Sequence, residues 1–222
     1  MIEKIVIKNY KKFRDLTLPL NADLNIIVGD NESGKSTLLE CINLALNFKI
    51  NGRFAGGELN TFLFHKPTID DYVAKVNDGA PPAMPEILVE LYLRNDPDLS
   101  RLMGSNNSLR ENVPGLKVVI RFNDSFAQEY AALLSRPEDI NSVPIEYYEA
   151  KWFSFADQEI TARSVPLQSV VLDATSIRLQ NGADSYIKSV INESLDAKQK
   201  AGLALAFRGL KESFLDLSLI HI

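Results

Sequence analysis

The sequence contains very little cysteine and histidine. It has one cysteine, Cys41, and two histidines, His65 and His221. A single cysteine excludes an internal disulfide, and its apolar helical surroundings favour a packed core thiol over a reactive one. Two isolated histidines do not make the ligand cluster that a zinc site needs. We therefore expect neither a disulfide framework nor a zinc centre.

Long apolar runs and a basic excess are also absent. No apolar run approaches the roughly 18 residues that a membrane-spanning helix needs. The N-terminus alternates polar and apolar residues, unlike a signal peptide. The 222 residues are 45% hydrophobic and 24% charged, with a net charge of −5. That composition indicates a globular, cytoplasmic protein without a membrane partner, and binding to nucleic acid would need a local basic patch.

Hydrophobic periodicity predicts an α/β chain. The expected strands are 3–8, 16–20, 24–28, 87–93, 116–122, 145–155 (one strand or a hairpin) and 165–172. The expected helices are 35–48, 69–76, 126–134 and a long helical region from 184 onward, while 49–62 is expected to be a loop. The many aromatic side chains of 145–155 are expected in the sheet core rather than on a base-stacking surface.

One short segment carries clear chemistry. Residues 29–36 fit the phosphate-binding pattern G-x-x-x-x-G-K-[ST]. Gly29 and Gly34 tolerate backbone angles that side chains would forbid, so that successive N–H groups form a nest for phosphate oxygens. A helix beginning near Lys35 adds the positive end of its dipole. Lys35 brings a full charge to the β- and γ-phosphates, and Ser36 offers a hydroxyl to Mg²⁺.

The surroundings of this motif match what the mechanism requires. An apolar stretch precedes it and an amphipathic helical pattern follows it, and a simple turn would not need its lysine and serine. The sequence therefore predicts binding of ATP with Mg²⁺. The expected nucleotide-binding residues are Gly29, Asp30, Asn31, Glu32, Ser33, Gly34, Lys35, Ser36 and Thr37, with Ser36 as the metal ligand.

The order of elements before the motif resembles the ATP-binding heads of SMC, RecF and ABC-type ATPases. Those heads have an alternating strand, an Asn-aromatic-basic turn with a following phenylalanine, a second strand and then the phosphate loop. The corresponding turn here reads Asn9-Tyr10-Lys11-Lys12-Phe13. The resemblance implies an α/β P-loop NTPase fold. Its form would be an ABC-ATPase-like N-terminal lobe with a mixed sheet and an antiparallel β layer, ending in long helices.

Within that group, the loop is more similar to the OLD (overcoming lysogenization defect) family. Glu32 follows Asn31 where SMC and RecF heads usually have glycine. The segments 87–93, 145–148 and 170–173 also look similar to OLD proteins. Those proteins are ATPases whose complete members usually carry a Toprim nuclease domain. The resemblance implies DNA repair or phage defence, with DNA and a second head of the same kind as partners.

The same resemblance draws attention to the turn before the loop. It places Lys11 and Lys12 where a basic residue can reach the nucleotide phosphates. The alternative interpretation is a pair of solvated lysines at a turn, and the sequence alone does not decide between the two.

Several motifs of a complete ABC-type head are not found. The apolar run that ends at Asp173 is followed by Ala174 rather than the catalytic glutamate of a Walker B strand. We therefore interpret Asp173 as a structural strand end rather than a Mg²⁺ ligand. No signature segment, Q-loop glutamine or Toprim acidic set is found. We expect a truncated chain in which 1–180 form the N-terminal lobe and 181–222 begin a helical insertion or dimerisation region. Hydrolysis would then need absent parts.

Two other functions remain open from the sequence. The chain could be a self-contained P-loop enzyme, such as a small-molecule kinase with Asp173 as its Walker B residue. It could instead be a nucleotide-responsive module that never hydrolyses ATP. Strand order separates the ABC-type lobe from the kinase, because an ABC-type lobe places 3–8 and 16–20 in an antiparallel layer beside the loop. A kinase has a parallel sheet with a lid.

Overall fold

The computed structural model describes residues 1–161 together with Val165, Leu167 and Gln199. The chain divides into two compact units, Met1–Ser169 and Val170–Ile222. The elements described below belong to the first unit. Most of the predicted strand 165–172, Asp173 and the predicted helical region from 184 lie outside the described residues.

The first unit contains eight strands and three helices among its described residues. The strands are β1 (Ile2–Tyr10), β2 (Phe13–Pro19), β3 (Lys49–Ile50), β4 (Arg53–Phe54), β5 (Ile87–Leu93), β6 (Met103–Gly104), β7 (Val113–Phe122) and β8 (Tyr148–Ser154). The helices are α1 (Lys35–Asn47), α2 (Lys66–Asn77) and α3 (Ala127–Leu134). Short 3₁₀ turns fill many of the connections, including Thr61–Leu63 and Ile145–Tyr147.

A six-stranded sheet forms the centre of the unit. Its order is β2-β1-β5-β7-β6, and β8 also pairs with β7. Every strand pair among the described residues is antiparallel. The register sets Ile5 opposite Leu18 and Val118 opposite Trp152. The predicted α/β fold with an antiparallel layer is confirmed.

Helix α1 covers one face of this sheet and builds the main core. It contacts β5 and β7. Its apolar positions recur at helical spacing, and Cys41, Leu44 and Ala45 are fully buried, as is Ile7 on β1. All seven residues of β5 are buried, as expected for a strand covered on both faces. Cys41 is fully buried, so the packed core thiol expected from the sequence is confirmed, and this burial raises the pKa of the thiol.

The predicted strand 24–28 is wrong. None of its residues is hydrogen-bonded into a sheet, and Leu24, Ile26 and Val28 are 70%, 77% and 87% exposed. A short apolar run bounded by turn residues favours a buried strand, but a strand also needs a neighbouring backbone with which to pair. Among the described residues, no strand pairs with this segment. The chain therefore reaches the phosphate loop without joining the sheet.

The aromatic segment near the end of the unit matches its expectation. It forms one strand, β8, preceded by a 3₁₀ turn rather than a hairpin. Tyr148, Trp152 and Phe155 are 8%, 4% and 1% exposed, so they belong to the sheet core. The predicted loop 49–62 contains the two-residue strands β3 and β4, which are too short to show a hydrophobic period.

Replacing Gly115 with alanine is expected to destabilise the sheet. A Cβ at this position would lie 2.1 Å from Cε2 of Phe155, whose ring is buried. Overpacking of this kind costs about 1–3 kcal/mol of unfolding free energy, measurable by urea titration. Gly57→Ala is the matched control, because a Cβ there meets nothing within 4 Å. Equal stability of the two variants would contradict the packing described.

Candidate phosphate-binding site

The loop that precedes α1 turns sharply into the helix. Gly34 is the N-cap residue and has φ 102°, a left-handed conformation that favours glycine. A Cβ on Gly34 would lie 2.8 Å from Cζ of Phe13, so the position also requires a small residue. No side chain caps this helix. Its first-turn N–H groups therefore remain available to an anion, which the helix dipole also favours.

The ammonium of Lys35 folds back onto the loop. Its Nζ donates to the carbonyl oxygens of Gly29 and Asp30, both at 2.7 Å, and lies 3.4 Å from Oγ of Ser33. Ser33 N also donates to the Asp30 carbonyl at 3.2 Å. Ionised phosphate oxygens accept stronger hydrogen bonds than neutral carbonyls do. The arrangement therefore holds a cation inside the loop that an incoming phosphate can attract.

A cavity of about 390 Å³ opens over the loop. It is lined by Lys12 and by Asn31, Glu32, Ser33, Gly34, Lys35, Ser36 and Thr37. Two ammonium groups and one carboxylate therefore border it. Gly29 and Asp30 do not line the cavity but hold the ammonium of Lys35. All nine residues predicted from the motif therefore either line the cavity or hydrogen-bond to the lysine that lines it.

The two lysines of the β1–β2 turn point to different partners. Lys12 Nζ donates to the carbonyl oxygen of Glu32 in the loop, and Lys12 lines the cavity. Lys11 Nζ lies 2.5 Å from Oε2 of Glu40 on α1. The other oxygen of Glu40 accepts a hydrogen bond from the Tyr10 hydroxyl at 3.0 Å. Lys12 is therefore the lysine beside the phosphate loop, and Lys11 fastens the turn to α1.

The role of Glu40 could not be assigned from the sequence. The only signal was its polar character at the wetter edge of an apolar helix. Burial raises the pKa of Tyr10, and the nearby Glu40 carboxylate raises it further. Tyr10 therefore stays protonated and donates to Glu40 at any ordinary pH.

Comparison with known proteins decides the family. A family model described as an AAA domain matches residues 4–144. That match covers most of the chain, including β1, the phosphate loop and α1. The chain belongs to the AAA domain family. It is therefore a nucleotide-binding domain of ATPase type, as the motif predicts.

The other comparisons do not refine the assignment to the AAA domain family. No curated protein matches it by sequence. One similar solved structure comes from work on ATP-driven dimerization and DNA-stimulated activation of SMC ATPases. That structure is 17% identical, with a TM-score of 0.42, and the match covers 91% of this chain and 96% of the other. In the part of the chain that the structure describes, none of the helices has both the length and the apolar composition of a membrane span.

The residues of the AAA domain's loop fit a nucleotide with Mg²⁺. The described residues contain no group of three or more His, Cys, Asp and Glu side chains that could hold a metal. Mg²⁺ suits such a site, because it keeps several waters and takes few protein ligands besides substrate phosphates. Ser36 lines the cavity, as do the hydroxyl residues Ser33 and Thr37, and it directly follows Lys35, where the motif expects the metal ligand. His65 instead lies beside Thr68, with Nδ1 and Oγ1 3.1 Å apart.

Replacing Glu40 with alanine is expected to destabilise the AAA domain by about 1–3 kcal/mol, because the buried Tyr10 hydroxyl loses its acceptor. Urea titration measures the loss. Lys11→Ala is the control, since it removes a partly exposed ion pair that contributes less than about 1 kcal/mol. A larger loss from Lys11→Ala than from Glu40→Ala would contradict this assignment.

Proposed function

We propose that this chain binds ATP with Mg²⁺ in the loop Gly29–Thr37 and serves as the nucleotide-binding lobe of an OLD-like, DNA-processing ATPase. The observation that carries the proposal is the uncapped N-terminus of α1 facing a cavity that Lys35 and Lys12 border. Backbone N–H groups, a helix dipole and two cations together favour a polyphosphate anion.

Each part of the loop has a distinct task in this proposal. The N–H groups around Gly34 hold phosphate oxygens and fix their position. Lys35 exchanges its bonds to the Gly29 and Asp30 carbonyls for bonds to the β- and γ-phosphates. Lys12 adds a second positive charge from the β1–β2 turn. Ser36 offers its hydroxyl to Mg²⁺, which neutralises charge that develops on the phosphates.

The arrangement of the sheet supports an ABC-type lobe over a small-molecule kinase. β1 and β2 pair antiparallel, with Ile7 opposite Leu16, and their connecting turn contacts the loop through Lys12. Every strand pair among the described residues is antiparallel, whereas a kinase needs a parallel sheet beside its phosphate loop.

Hydrolysis is proposed to need further residues. An acidic Walker B strand end would have to come from beyond residues 1–161, and a second head would supply the signature segment across a dimer. The Asn31-Glu32 pair in the loop supports the OLD-like assignment, and the Tyr10–Phe13 turn supports kinship with DNA-associated SMC and RecF heads. DNA and a second copy of the head are the proposed partners. A nucleotide-responsive module without turnover is the second candidate.

Calorimetric titration of the chain with ATP, in the presence and absence of Mg²⁺, tests the proposal. We expect saturable binding that Mg²⁺ strengthens, with little turnover by the chain alone. Absence of binding would overturn the proposal. ATP turnover by the chain alone, lost in Lys35→Ala, would refute both the module and the need for further residues. Stimulation of ATP turnover by DNA in a longer protein would support the proposed partners.

A further inference from the structure

One acidic side chain borders the cavity over the phosphate loop. Among the residues that line this cavity, Lys12 and Lys35 carry ammonium groups and Glu32 carries a carboxylate. Glu32 is exposed, and none of the ion pairs found in the described part of the chain involves it. Like charges brought together weaken binding. The Glu32 carboxylate therefore opposes the binding of a polyphosphate anion unless another positive charge compensates it.

The backbone of Glu32 also adopts an unusual conformation. Its φ is 65°, in the left-handed region that glycine adopts freely and other residues rarely adopt. The Lys12 ammonium donates a hydrogen bond to the Glu32 carbonyl oxygen and so holds this part of the loop. Strained residues of this kind are found most often at functional sites. Glycine would adopt the same conformation without strain, so the backbone gives no reason for a glutamate here.

A carboxylate acts differently on a triphosphate with and without its metal. A triphosphate without a metal carries several negative charges, and a nearby carboxylate repels all of them. Bound Mg²⁺ cancels much of that charge and itself attracts the carboxylate. Mg²⁺ also keeps several of its waters when it binds phosphates, and a carboxylate can accept hydrogen bonds from such waters. One acidic side chain can therefore disfavour the bare anion and accept the metal complex.

We propose that Glu32 selects the Mg²⁺ complex of the triphosphate against the metal-free anion. This inference rests on the proposed binding of a triphosphate in Gly29–Thr37. Lys35 and Lys12 attract the phosphates in either form, whereas Glu32 repels the form that lacks the metal. Glu32 is therefore a specificity-determining residue of the loop rather than a catalytic one.

The test is calorimetric titration with ATP, once with Mg²⁺ and once with EDTA, for the wild type, Glu32→Gln and Glu32→Gly. We expect both variants to bind ATP in EDTA about tenfold more tightly than the wild type, because the repulsion is lost. With Mg²⁺ they should show no such gain. The preference for the Mg²⁺ complex, which is the ratio of the two dissociation constants, should therefore fall about tenfold. Glu32→Asp keeps the charge and should keep the preference.

Two controls separate the charge of Glu32 from other effects. Glu129→Gln removes an exposed carboxylate of α3 that does not line the cavity, so both affinities for ATP should be unchanged. Inorganic tripolyphosphate has no ribose, so it reports on the phosphates and the metal alone. Its preference for Mg²⁺ should fall in Glu32→Gln as that of ATP does.

The absence of any gain in EDTA for Glu32→Gln, or an equal gain in Glu129→Gln, would overturn the selective role. A gain with ATP but not with tripolyphosphate would overturn it too, because Glu32 would then act on the ribose. A gain in Glu32→Gly alone would assign the effect to the backbone and contradict the role of the charge. In these cases ATP still binds, so the loop site stands. A wild type that binds ATP in neither condition would overturn both proposals.

Discussion

The Lys35→Ala variant is expected to bind ATP about 100-fold more weakly than the wild type, a loss of about 3 kcal/mol. The ammonium of Lys35 already lies inside the loop, held by two carbonyl oxygens at 2.7 Å. A phosphate offers it stronger, charge-assisted hydrogen bonds, and alanine can make none of them. Titration calorimetry with Mg²⁺ measures the difference directly.

The control for this variant is Lys49→Ala. Lys49 is an exposed lysine on β3, and it does not line the cavity. Its replacement removes the same charge from the chain, so it corrects for any general electrostatic attraction of ATP. We expect it to leave the affinity for ATP nearly unchanged. A Lys35→Ala variant that binds ATP as tightly as Lys49→Ala would show that the loop does not hold the phosphates.

The Trp152→Ala variant is expected to lose about 3–5 kcal/mol of unfolding free energy, the usual cost of truncating a buried tryptophan. Trp152 is 4% exposed and stacks on Phe48, with ring centroids 5.5 Å apart. Its Nε1 donates to the Ala45 carbonyl at 3.0 Å. The side chain therefore joins β8 to the helix that begins at the phosphate loop. Urea unfolding followed by circular dichroism suits this test, because the variant has no tryptophan left.

Trp152→Phe separates packing from hydrogen bonding at the same position. Phenylalanine keeps an aromatic ring against Phe48 but has no N–H for the Ala45 carbonyl. We expect it to recover most of the packing and to remain about 1–2 kcal/mol less stable than the wild type. A Trp152→Ala variant that unfolds within about 1 kcal/mol of the wild type would contradict the placement of β8 in the core.

Two kinds of element could be predicted from the sequence: those stabilised mainly by contacts between residues close in sequence, and those with a hydrophobic pattern that extends over many residues. Helix α1 and strand β1 carry a clear hydrophobic period, and strands β5 and β7 are apolar runs long enough to be recognised as strands. The segment 24–28 is also a short apolar run, but it is not a strand, because pairing depends on a neighbour that its own residues do not specify. The β3–β4 pair was missed for the opposite reason. These strands do pair, but two residues per strand are too few to show a hydrophobic period.

The phosphate loop was predictable because its function fixes residue types at fixed spacing. The surroundings of the loop were not. Lys11 and Lys12 are adjacent and chemically identical, so only the geometry of the turn assigns one to Glu40 and the other to the cavity.

The most direct measurement of the central claim is a crystal structure of the chain with Mg²⁺ and a non-hydrolysable ATP analogue. We predict the triphosphate against the N–H groups at the start of α1, with Lys35 Nζ moved from the Gly29 and Asp30 carbonyls to the phosphates. Ser36 should contact the metal. A triphosphate bound elsewhere, or a Lys35 that keeps its carbonyl partners beside a bound nucleotide, would contradict the account.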